Sequence, residues 1–421
     1  MKVLVVGGGG REHAIILKLK ESPRVDKIYC APGNAGISED AECVNIKATD
    51  IDALMKFAKD EKIDFTVVGM DDPLVMGIVD KFEENGLKIF GPRKNAAIIE
   101  GSKAFSKELM KKYNIPTASY ETFDNYNDAY LYIKESKFPI VIKADGLALG
   151  KGVLICGSLE DAEKGLKQIM VDKKFGESGD KVVIEEFLTG PEVSVLSFCD
   201  GTTVVPMVSA QDHKRAFDGD RGLNTGGMGT FSPSRIYTKE ISDICMEKIF
   251  KPTVSALKKE GREFKGIIYF GLMITKDGPN VIEYNARFGD PETQVILPRL
   301  DSDLFDIFEA CVDGKLDKLD IKWKDNAAAC VILASGGYPE SYEKGFTING
   351  LDKCAEMDNI YIYHAGTAFK DCKFVTNGGR VLGVTGVGKN LDEAIKMAYK
   401  GVEFINFKNA HFRRDIGIKK V

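Results

Sequence analysis

VIEYNARFGDPETQ, residues 281–294, ends a predicted β-hairpin that turns at Asp277 and Gly278. Glu283, Asn285 and Arg287 recur in it at every second residue, so their side chains share one face of a strand, about 6.6 Å apart per step. Carboxylate and amide oxygens suit Mg²⁺, and the planar guanidinium binds phosphate or carboxylate. An ordinary solvated strand face can also carry these three residues, so the rest of the chain has to distinguish the two interpretations.

Length and composition restrict the class of protein. A chain of 421 residues exceeds what one hydrophobic core supports, and about two to four domains are expected. With 44% hydrophobic and 29% charged residues the chain is typical of globular proteins. Its net charge of −5 argues against nucleic acid as a partner, while a local basic cleft for small phosphates remains compatible with it.

The cysteines and the amino terminus indicate the compartment. Nine cysteines are scattered without a CxxC pair, which favours reduced thiols in a cytoplasmic protein over a disulfide framework or a zinc site. The amino terminus runs directly into a strand, MKVLVVGGGG, and no apolar stretch approaches the length of about 18 residues that a membrane span needs. We therefore expect neither a signal peptide nor a membrane partner.

Residues 1 to about 100 alternate strands and helices, which predicts a parallel sheet with right-handed crossovers. Ligands gather at the carboxyl ends of such strands, where the loops at 7–10, 32–36 and 69–73 lie. From residue 101 to about 325 the pattern changes to hairpins, a glycine-rich loop at 210–230 and a long helix at 239–260. A last block begins with the apolar strand AAACVILA and ends with a helix near 392–404.

The first glycine loop, VLVVGGGGREH, presents backbone N–H groups and a helix end to a phosphate. It fails the dinucleotide fingerprint, because Glu12 or His13 occupies the place of the last glycine and no acid closes the second strand. An NAD-dependent oxidoreductase is therefore disfavoured. A single phosphate on a sugar still fits residues 8–11, and a simple packing turn is the alternative.

The second glycine loop, DGLALGKGV at 145–153, is not a Walker A motif. Asp145 and Gly152 stand where that motif needs glycine and a hydroxyl residue, and a strand follows instead of a helix. We interpret it as a hairpin that folds over phosphates, with Lys143 on the preceding strand reaching the α- and β-phosphate oxygens. A flexible surface hairpin is the alternative.

The segment VVIEEFLTGPE at 182–192 is a strand that ends in acids and an aromatic residue. Its edge can offer backbone groups to adenine, and Glu192 can bind the ribose hydroxyls. Together with Lys103, Lys143, the glycine hairpin and the Glu-x-Asn pair at 283–285, in this order, it predicts a nucleotide clamped between two antiparallel sheets.

Several longer motifs run through the whole chain in a fixed order. They are GGGGREHA at 7–14, PGNAG at 32–36, GSKAFSK at 101–107, VIKADGLALGKGV at 141–153, DHKRAFDGD and NTGGMG between 212 and 229, YNARFGDPETQ at 284–294, and GGRVLGV with RRDIG near the carboxyl end. In this combination the chain resembles the ATP-grasp ligases, and within them the family of phosphoribosylamine–glycine ligases, also called glycinamide ribonucleotide synthetases.

The resemblance implies a multidomain α/β and α+β protein with an ATP-grasp fold. It implies an amino-terminal parallel α/β domain at 1–100, an ATP-grasp domain at 101–325 with a mobile lid subdomain at about 117–190, and a carboxyl-terminal mixed α/β domain at 326–421. The implied reaction joins glycine to 5-phosphoribosylamine with ATP through glycyl phosphate, in the second step of purine synthesis. Its partners would be small molecules only, and we expect a monomer.

The resemblance also implies site residues, carried over by position. ATP would be bound by Lys103, Lys143, Glu185, Phe187, Leu188 and Glu192, under the hairpin residues Gly150, Lys151 and Gly152. Mg²⁺ or Mn²⁺ would be bound by Glu283 and Asn285. The glycine and phosphoribosylamine side would be formed by Gly8, Gly9, Gly10, Arg11, Glu12, Asp71, Lys214, Asn224, Gly226 and Gly227. Catalysis would involve Arg287, Asp290 and Asp212, with Asp290 facing either the ammonium group of glycine or Arg287.

Two departures from the family pattern bear on these roles. Many relatives have Pro-Glu where this chain has Met70 and Asp71, so the shorter acid must reach further or act through water. The first strand of the hairpin, at 269–275, carries no acid for a further metal ion. Another ATP-grasp carboxylate–amine ligase is the nearest alternative, and a nucleotide-binding module without turnover is a more distant one.

Overall fold

Five parallel strands form the amino-terminal sheet of the computed structural model, which describes residues 1–147 and 152–418. The spatial order β3-β2-β1-β4-β5 agrees with the predicted crossover topology, and helices cover the sheet. The elements are β1 Lys2–Gly7, α1 Gly10–Leu19, β2 Lys27–Pro32, β3 Glu42–Cys43, α2 Ile51–Asp60, β4 Phe65–Val68, α3 Asp71–Met76, α4 Ile78–Glu84, β5 Ile89–Phe90 and α5 Lys94–Gly101.

A second, antiparallel sheet of four strands, here called the lid sheet, follows in the order β6-β9-β7-β8. Buried aliphatic side chains on one face of its strands pack against the flanking helices. The elements are α6 Lys103–Lys112, β6 Tyr120–Phe123, α7 Tyr126–Glu135, β7 Ile140–Ala144, β8 Val153–Cys156, α8 Leu159–Leu166 and β9 Val182–Glu186. The predicted phosphate-covering residues Gly150 and Lys151 lie outside the described residues.

The central sheet is also antiparallel, in the order β11-β10-β16-β17. It contains the predicted hairpin of β16 and β17, so the two antiparallel sheets expected around a nucleotide are both present. The elements are β10 Glu192–Asp200, β11 Val204–Pro206, β12 Gln211–Asp212, β13 Arg215–Phe217, β14 Arg221–Asn224, β15 Gly229–Ser232, α9 Lys239–Cys245, α10 Lys251–Lys259, β16 Lys265–Thr275, β17 Gly278–Asn285, α11 Thr293–Ile296 and α12 Leu304–Asp313.

The predicted helix at 239–260 is continuous but not regular. A π-helical turn at Met246–Phe250 separates α9 from α10. Pro252 follows directly, and because proline has no N–H and its ring displaces the carbonyl four residues back, the regular hydrogen-bond ladder cannot pass through this position.

The carboxyl-terminal sheet has the order β12-β15-β18-β22-β19 and recruits two strands from the glycine-rich loop. Backbone pairing therefore crosses the border predicted near residue 325, and the domain borders themselves stay predictions. The remaining elements are β18 Ala327–Ala334, α13 Leu351–Ala355, β19 Ile360–His364, β20 Thr367–Lys370, β21 Lys373–Thr376, β22 Arg380–Gly388 and α14 Leu391–Phe404.

The carboxyl-terminal sheet docks on the first domain through a buried polar seam. The backbone N–H of His364 donates to Nδ1 of His13 at 2.9 Å, and the amide of Asn34 donates to the carbonyls of Gly8 and His364 at 3.0 and 2.8 Å. Burial lowers the pKa of His364 to about 3, and His13 adds to the shift, so this ring is neutral in the seam. No helix among the described residues is both long and apolar enough to cross a membrane.

The fit of this seam makes Gly36 a test of docking. A Cβ at Gly36 would overlap the His364 ring, although the φ of −75° at this position permits any residue. We expect Gly36→Ala to lower the free energy of unfolding by about 1–3 kcal/mol, as overpacking does in a closed contact. Gly157→Ala is the matched control, because the nearest atom to its added Cβ would be 3.8 Å away. Urea unfolding of both variants checks this, and equal stability of Gly36→Ala and the control would contradict the docking seen here.

Candidate active site

The loops predicted to hold ligands meet in one cleft. Arg11 after β1 and Asp71 after β4 lie against Phe288 and Arg287, just beyond β17. Lys143 of the lid sheet donates to the carbonyl of Ile282, and Arg380 of β22 donates to that of Asp290. The cleft therefore draws side chains from all three sequence blocks.

Two lysines, Lys143 and Lys103, lie where the lid sheet meets β17, and Lys143 lies beside a buried acid. Lys143 Nζ lies 2.9 Å from Glu185 Oε1 and donates to the carbonyl of Ile282 at 2.9 Å. Lys103 Nζ donates to the carbonyl of Gly146 at 2.9 Å, and burial lowers the pKa of Lys103. The two predicted phosphate-binding lysines thus converge beneath the described start of the glycine hairpin.

Alternate residues of β17 face the cleft, as the every-second-residue spacing predicts. Glu283, Asn285 and Arg287 are partly exposed while Tyr284 and Ala286 are buried. The guanidinium of Arg287 donates to Asn285 Oδ1 at 3.2 Å, although Arg287 itself lies beyond the end of the strand. The shared face is therefore confirmed.

The side chain of Lys214 lies between Glu192 and Glu283. Its Nζ lies 2.8 Å from Glu192 Oε2 and 3.4 Å from Glu283 Oε1. Burial alone would lower the pKa of Lys214, but the two carboxylates outweigh it and raise that pKa well above its usual range. Lys214 likewise holds the pKa of Glu283 below its usual range. Lys214 thus balances the charge of Glu192, which is predicted to bind the ribose, and of Glu283, which is predicted to bind the metal ion.

The residues present fit a divalent cation that also binds phosphate. Glu283 offers carboxylate oxygens and Asn285 one amide oxygen on the same face. Among the described residues no group of three or more His, Cys, Asp and Glu side chains could hold a metal alone. Mg²⁺ is commonly held by one or two protein oxygens together with substrate phosphates, and this incomplete set matches that pattern.

Arg287 is held by a buried acid that the sequence motifs did not single out. Glu100, at the end of α5, lies 2.8 Å from Arg287 Nη2 through Oε1, and its Oε2 accepts from the N–H of Ala286 at 2.7 Å. Burial raises the pKa of Glu100 to about 7 against the attraction of Arg287. Asp71 lies 4.0 Å from the same guanidinium, so this shorter acid does reach the cleft. An acid between apolar helix residues, IIEG at 98–101, was the available signal for Glu100.

Asp290 does not pair with Arg287, so that part of the prediction is wrong. Its Oδ1 accepts from Gln294 Nε2 at 2.9 Å and lies 3.4 Å from Arg380 Nη2, and its Oδ2 accepts from the N–H of Arg11 at 3.3 Å. Burial would raise the pKa of Asp290, but Arg380 and Arg11 outweigh it and keep that pKa low. The turn after Phe288 aims Asp290 away from β17, toward the other two blocks.

Arg380 enters the cleft from β22, and the sequence reasoning assigned it no role. Its Nη1 donates to the carbonyl of Gly226 at 2.5 Å and to that of Asp290 at 2.7 Å. Arg380 belongs to the motif GGRVLGV, but nothing in this motif indicates that its arginine faces residues more than 80 positions earlier.

Glu12 supports the first glycine loop from beneath. Its side chain accepts from the N–H of Gly9 and from Arg11 Nε, both at 2.6 Å, and only 1% of the residue is exposed. Arg11 also donates to the carbonyl of Phe288 at 2.9 Å. The buried carboxylate of Glu12 thus holds a loop in which Gly8, Gly9 and Arg11 are partly exposed and Gly10 is buried.

Asp212 is a buried acid beneath the loop of Gly226 and Gly227. Its Oδ1 has no hydrogen-bond partner, and a Cβ at Gly227 would lie 2.7 Å from it. Burial raises the pKa of Asp212 well above its usual range, and the nearby Glu292 adds to the shift. Asn224 precedes this loop in β14, and the N–H of Thr225 donates to the carbonyl of Lys214 at 2.8 Å. The loop is therefore tied to the floor of the cleft.

The predicted adenine edge follows β9 along the rim of the cleft. Phe187 is 38% exposed there, next to the partly buried Leu188, while Glu185 is buried. Gly152 accepts from the N–H of Ala144 at 2.9 Å and so closes the described base of the glycine hairpin.

Comparison with known families covers nearly the whole chain. Three family models match in order: the phosphoribosylglycinamide synthetase N domain at residues 1–100, its ATP-grasp (A) domain at 101–293 and its C domain at 328–419. The chain is 54% identical over 416 residues to the phosphoribosylamine–glycine ligase of Caldanaerobacter subterraneus subsp. tengcongensis, covering 99% of each chain.

Solved structures agree with this. The crystal structure of the phosphoribosylamine–glycine ligase of Thermotoga maritima matches with a TM-score of 0.84 and 35% identity, covering 99% of this chain and 100% of that one. The biotin carboxylase domain of the Hydrogenobacter thermophilus 2-oxoglutarate carboxylase, solved with the magnesium salt of ADP and with bicarbonate, has a TM-score of 0.75 at 15% identity. It covers 98% of this chain and 91% of that one, and it shows the shared ATP-grasp fold alone.

The buried pair of Glu100 and Arg287 predicts a pH dependence of stability. The raised pKa means that folded Glu100 keeps a proton between about pH 4.5 and about 7, where the unfolded chain has lost it. Stability is therefore lost as pH rises through this window, by at most about 1.4 kcal/mol per pH unit. Glu100→Gln cannot titrate and so does not lose stability in this window. The stability of the variant relative to wild type should therefore increase with pH up to about 7 and then level off.

Thermal unfolding midpoints measured from pH 4.5 to 8 check this expectation. Glu84→Gln, at an exposed position on α4, is the matched control and should show a constant difference from wild type. A constant difference for Glu100→Gln as well would show that Glu100 titrates normally in the folded protein.

Proposed function

Because the chain belongs to the phosphoribosylglycinamide synthetase family, we propose how its cleft divides ATP, glycine and 5-phosphoribosylamine among the residues described above. The enzyme is an ATP-dependent carbon–nitrogen ligase of purine biosynthesis. It joins glycine to 5-phosphoribosylamine and yields glycinamide ribonucleotide, ADP and phosphate. A carboxylate has no leaving group for an amine to displace, so the carboxylate of glycine first attacks the γ-phosphate of ATP and forms glycyl phosphate.

The single observation that carries the assignment of roles is the convergence of Lys103, Lys143 and Glu283 in one cleft. Lys143 and Lys103 supply positive charge for the phosphates of ATP at the edge of the lid sheet. Phe187 and Leu188 contact adenine, and Glu192 binds the ribose hydroxyls once Lys214 turns from it toward phosphate. Glu185 stays buried and fixes Lys143.

Glu283 and Asn285 hold Mg²⁺ or Mn²⁺ together with the phosphates of ATP. Such an ion, when bound, neutralises charge on the β- and γ-phosphate oxygens. Lys214 Nζ lies 3.4 Å from Glu283 Oε1, so this ammonium group has to move away when a metal ion binds to Glu283. Arg287 faces the γ-phosphoryl group and the glycine carboxylate, where negative charge concentrates as the bond forms.

The acceptor side lies between the first glycine loop and β22. The N–H groups of residues 8–10 and the guanidinium of Arg11 bind the phosphate of phosphoribosylamine, with Asp71 beside them at the ribose. Asp290 and Asp212 face the ammonium group of glycine under the loop of Gly226 and Gly227. The amine nucleophile sheds its proton to phosphate or water, so no further base is required.

Water has to be kept from glycyl phosphate, because hydrolysis would waste ATP. We assign this task to the segment between β7 and β8. We further propose that the protein acts as a monomer. The nine free thiols fit the reducing cytoplasm.

Two substitutions test the nucleotide assignment. Lys143→Ala and Glu283→Ala should each abolish glycine-dependent ADP release, because they remove phosphate and metal contacts while leaving the sheets intact. Lys137→Ala and Asp277→Ala are matched controls at exposed positions just before β7 and at the tip of the β16–β17 hairpin. ADP release is measured with phosphoribosylamine generated in the assay, and full turnover in either cleft variant would sink the assignment.

The same assay addresses the nearest alternative substrates. We expect ADP release with glycine but not with D-alanine, bicarbonate or formate. Release with one of these acids and not with glycine would identify another carboxylate–amine ligase of this fold. Thermal stabilisation by NAD, in contrast, would favour an oxidoreductase.

A further inference from the structure

Lys107 lies beneath the lid sheet in a buried cluster of three charges. Its Nζ lies 3.0 Å from Glu185 Oε2, while Lys143 Nζ lies 2.9 Å from the other oxygen of the same carboxylate. Only 3%, 9% and 4% of the side chains of Lys107, Lys143 and Glu185 are exposed. One carboxylate thus serves two ammonium groups in surroundings that water scarcely reaches.

The charges in this cluster do not cancel. Two lysines and one glutamate leave one net positive charge close to where the phosphates of ATP arrive. If Lys107 were absent, Glu185 and Lys143 would form a neutral pair, and a phosphate would have to compete with Glu185 for the ammonium of Lys143. Buried pairs are strongly held once formed, so that competition would weaken phosphate binding.

We propose that Lys107 is a positioning residue for ATP, which neutralises Glu185 so that the charge of Lys143 remains available to the phosphates. The inference rests on the proposed role of Lys143 and deepens it. Lys107 would act through Glu185, because its ammonium group contacts Glu185, Thr117 and Ala118.

Other contacts fix the ammonium group of Lys107 in this place. It donates to Thr117 Oγ1 at 2.8 Å and to the carbonyl of Ala118 at 3.3 Å, and Thr117 in turn donates to the carbonyl of Val281 at 2.7 Å. These bonds join α6, the segment entering the lid sheet and β17. If Lys107 had only a structural role, made up of these hydrogen bonds, its loss would weaken the binding of every part of the nucleotide equally.

The surroundings also make the charge of Lys107 sensitive to pH. Burial lowers the pKa of Lys107 to about 8, even though Glu185 favours the charged form. Lys143 on β7 opposes that form, Glu186 on β9 favours it, and the ring of Tyr120 on β6 lies 5.5 Å from the ammonium. Above about pH 8 Lys107 loses its proton, and Glu185 is then paired with Lys143 as its one charged lysine.

Binding measurements with ADP and with adenosine separate a charge effect from a structural one. Lys107→Met should raise the Kd for ADP, in the presence of Mg²⁺, by about tenfold or more and leave that for adenosine unchanged. Lys111→Met is the matched control, because Lys111 lies on the same helix and over the same Tyr120 ring at 5.5 Å but is exposed. It should bind both compounds like wild type. An equal loss of ADP and adenosine binding in Lys107→Met, or no loss of either, would overturn the proposal.

The pH dependence gives a second test that also works if Lys107→Met does not fold. In wild type the Kd for ADP should rise as pH increases from 7 to 9, because Lys107 becomes neutral above about 8. Lys107→Arg keeps its charge throughout and should show a smaller rise. Lys103 has a lowered pKa in both proteins, so the difference between them isolates Lys107. A Kd in wild type that stays constant over this range, or profiles that coincide, would overturn the proposal.

Turnover distinguishes a failure of this inference from a failure of the proposed function. With the inference correct, Lys107→Met shows a raised KM for ATP, an unchanged KM for glycine and a kcat within about threefold of wild type, since no contact with the γ-phosphoryl group is lost. If wild type ligates glycine and Lys107→Met has the wild-type KM for ATP, only the role of Lys107 is wrong. If Lys143→Ala keeps full turnover, the assignment of ATP itself is wrong.

Discussion

The balance of charges around the end of β17 is the constraint on which the rest of the site depends. An unpaired ion away from water costs on the order of several kcal/mol, and several cations of the cleft lie beside an acid. Lys143 meets Glu185, Lys214 meets Glu283, and Arg287 meets Glu100. In the proposed assignment, these pairs orient the side chains for phosphates and a metal ion, and a bound ligand replaces one partner of a pair.

This balance is assembled from distant parts of the chain. Arg11 comes from the first sheet and Arg380 from the last, and both act on Asp290 at the end of the central hairpin. The seam of His13 and His364 joins α1, which carries Arg11, to β19, which pairs with the strand of Arg380. The seam therefore also holds Arg11 and Arg380 near each other. Glycines permit the close approach of these segments to one another. Gly36 faces the His364 ring, and Gly227, with a φ of +109°, lies against Asp212 where any Cβ would collide.

Local pattern was enough to predict the elements that carry the site. The alternation through Glu283, Asn285 and Arg287 predicted one shared face. Glu283 and Asn285 share it because side chains alternate along β17, while Arg287 lies beyond the strand and joins them through its hydrogen bond to Asn285. The alternation of strands and helices over residues 1 to about 100 likewise predicted the parallel sheet, since apolar periodicity is a local signal. The π-helical turn before Pro252 and the strands that cross the border near 325 were not predicted, because both depend on which backbone groups find partners in three dimensions.

The sequence by itself thus determined the ATP-grasp family, the order of its domains and the residue types of the site, because motif spacing and periodicity are properties of neighbouring residues. Only the tertiary structure decided the partners. It placed Glu100 on Arg287, Arg380 on Asp290, Lys214 between Glu192 and Glu283, and Lys107 on Glu185. Each of these pairs joins residues from separate elements, and their charges interact at about 3 Å only after sheets and helices have packed. The physical reason is that Coulomb attraction depends on distance and burial, which no spacing along the chain specifies.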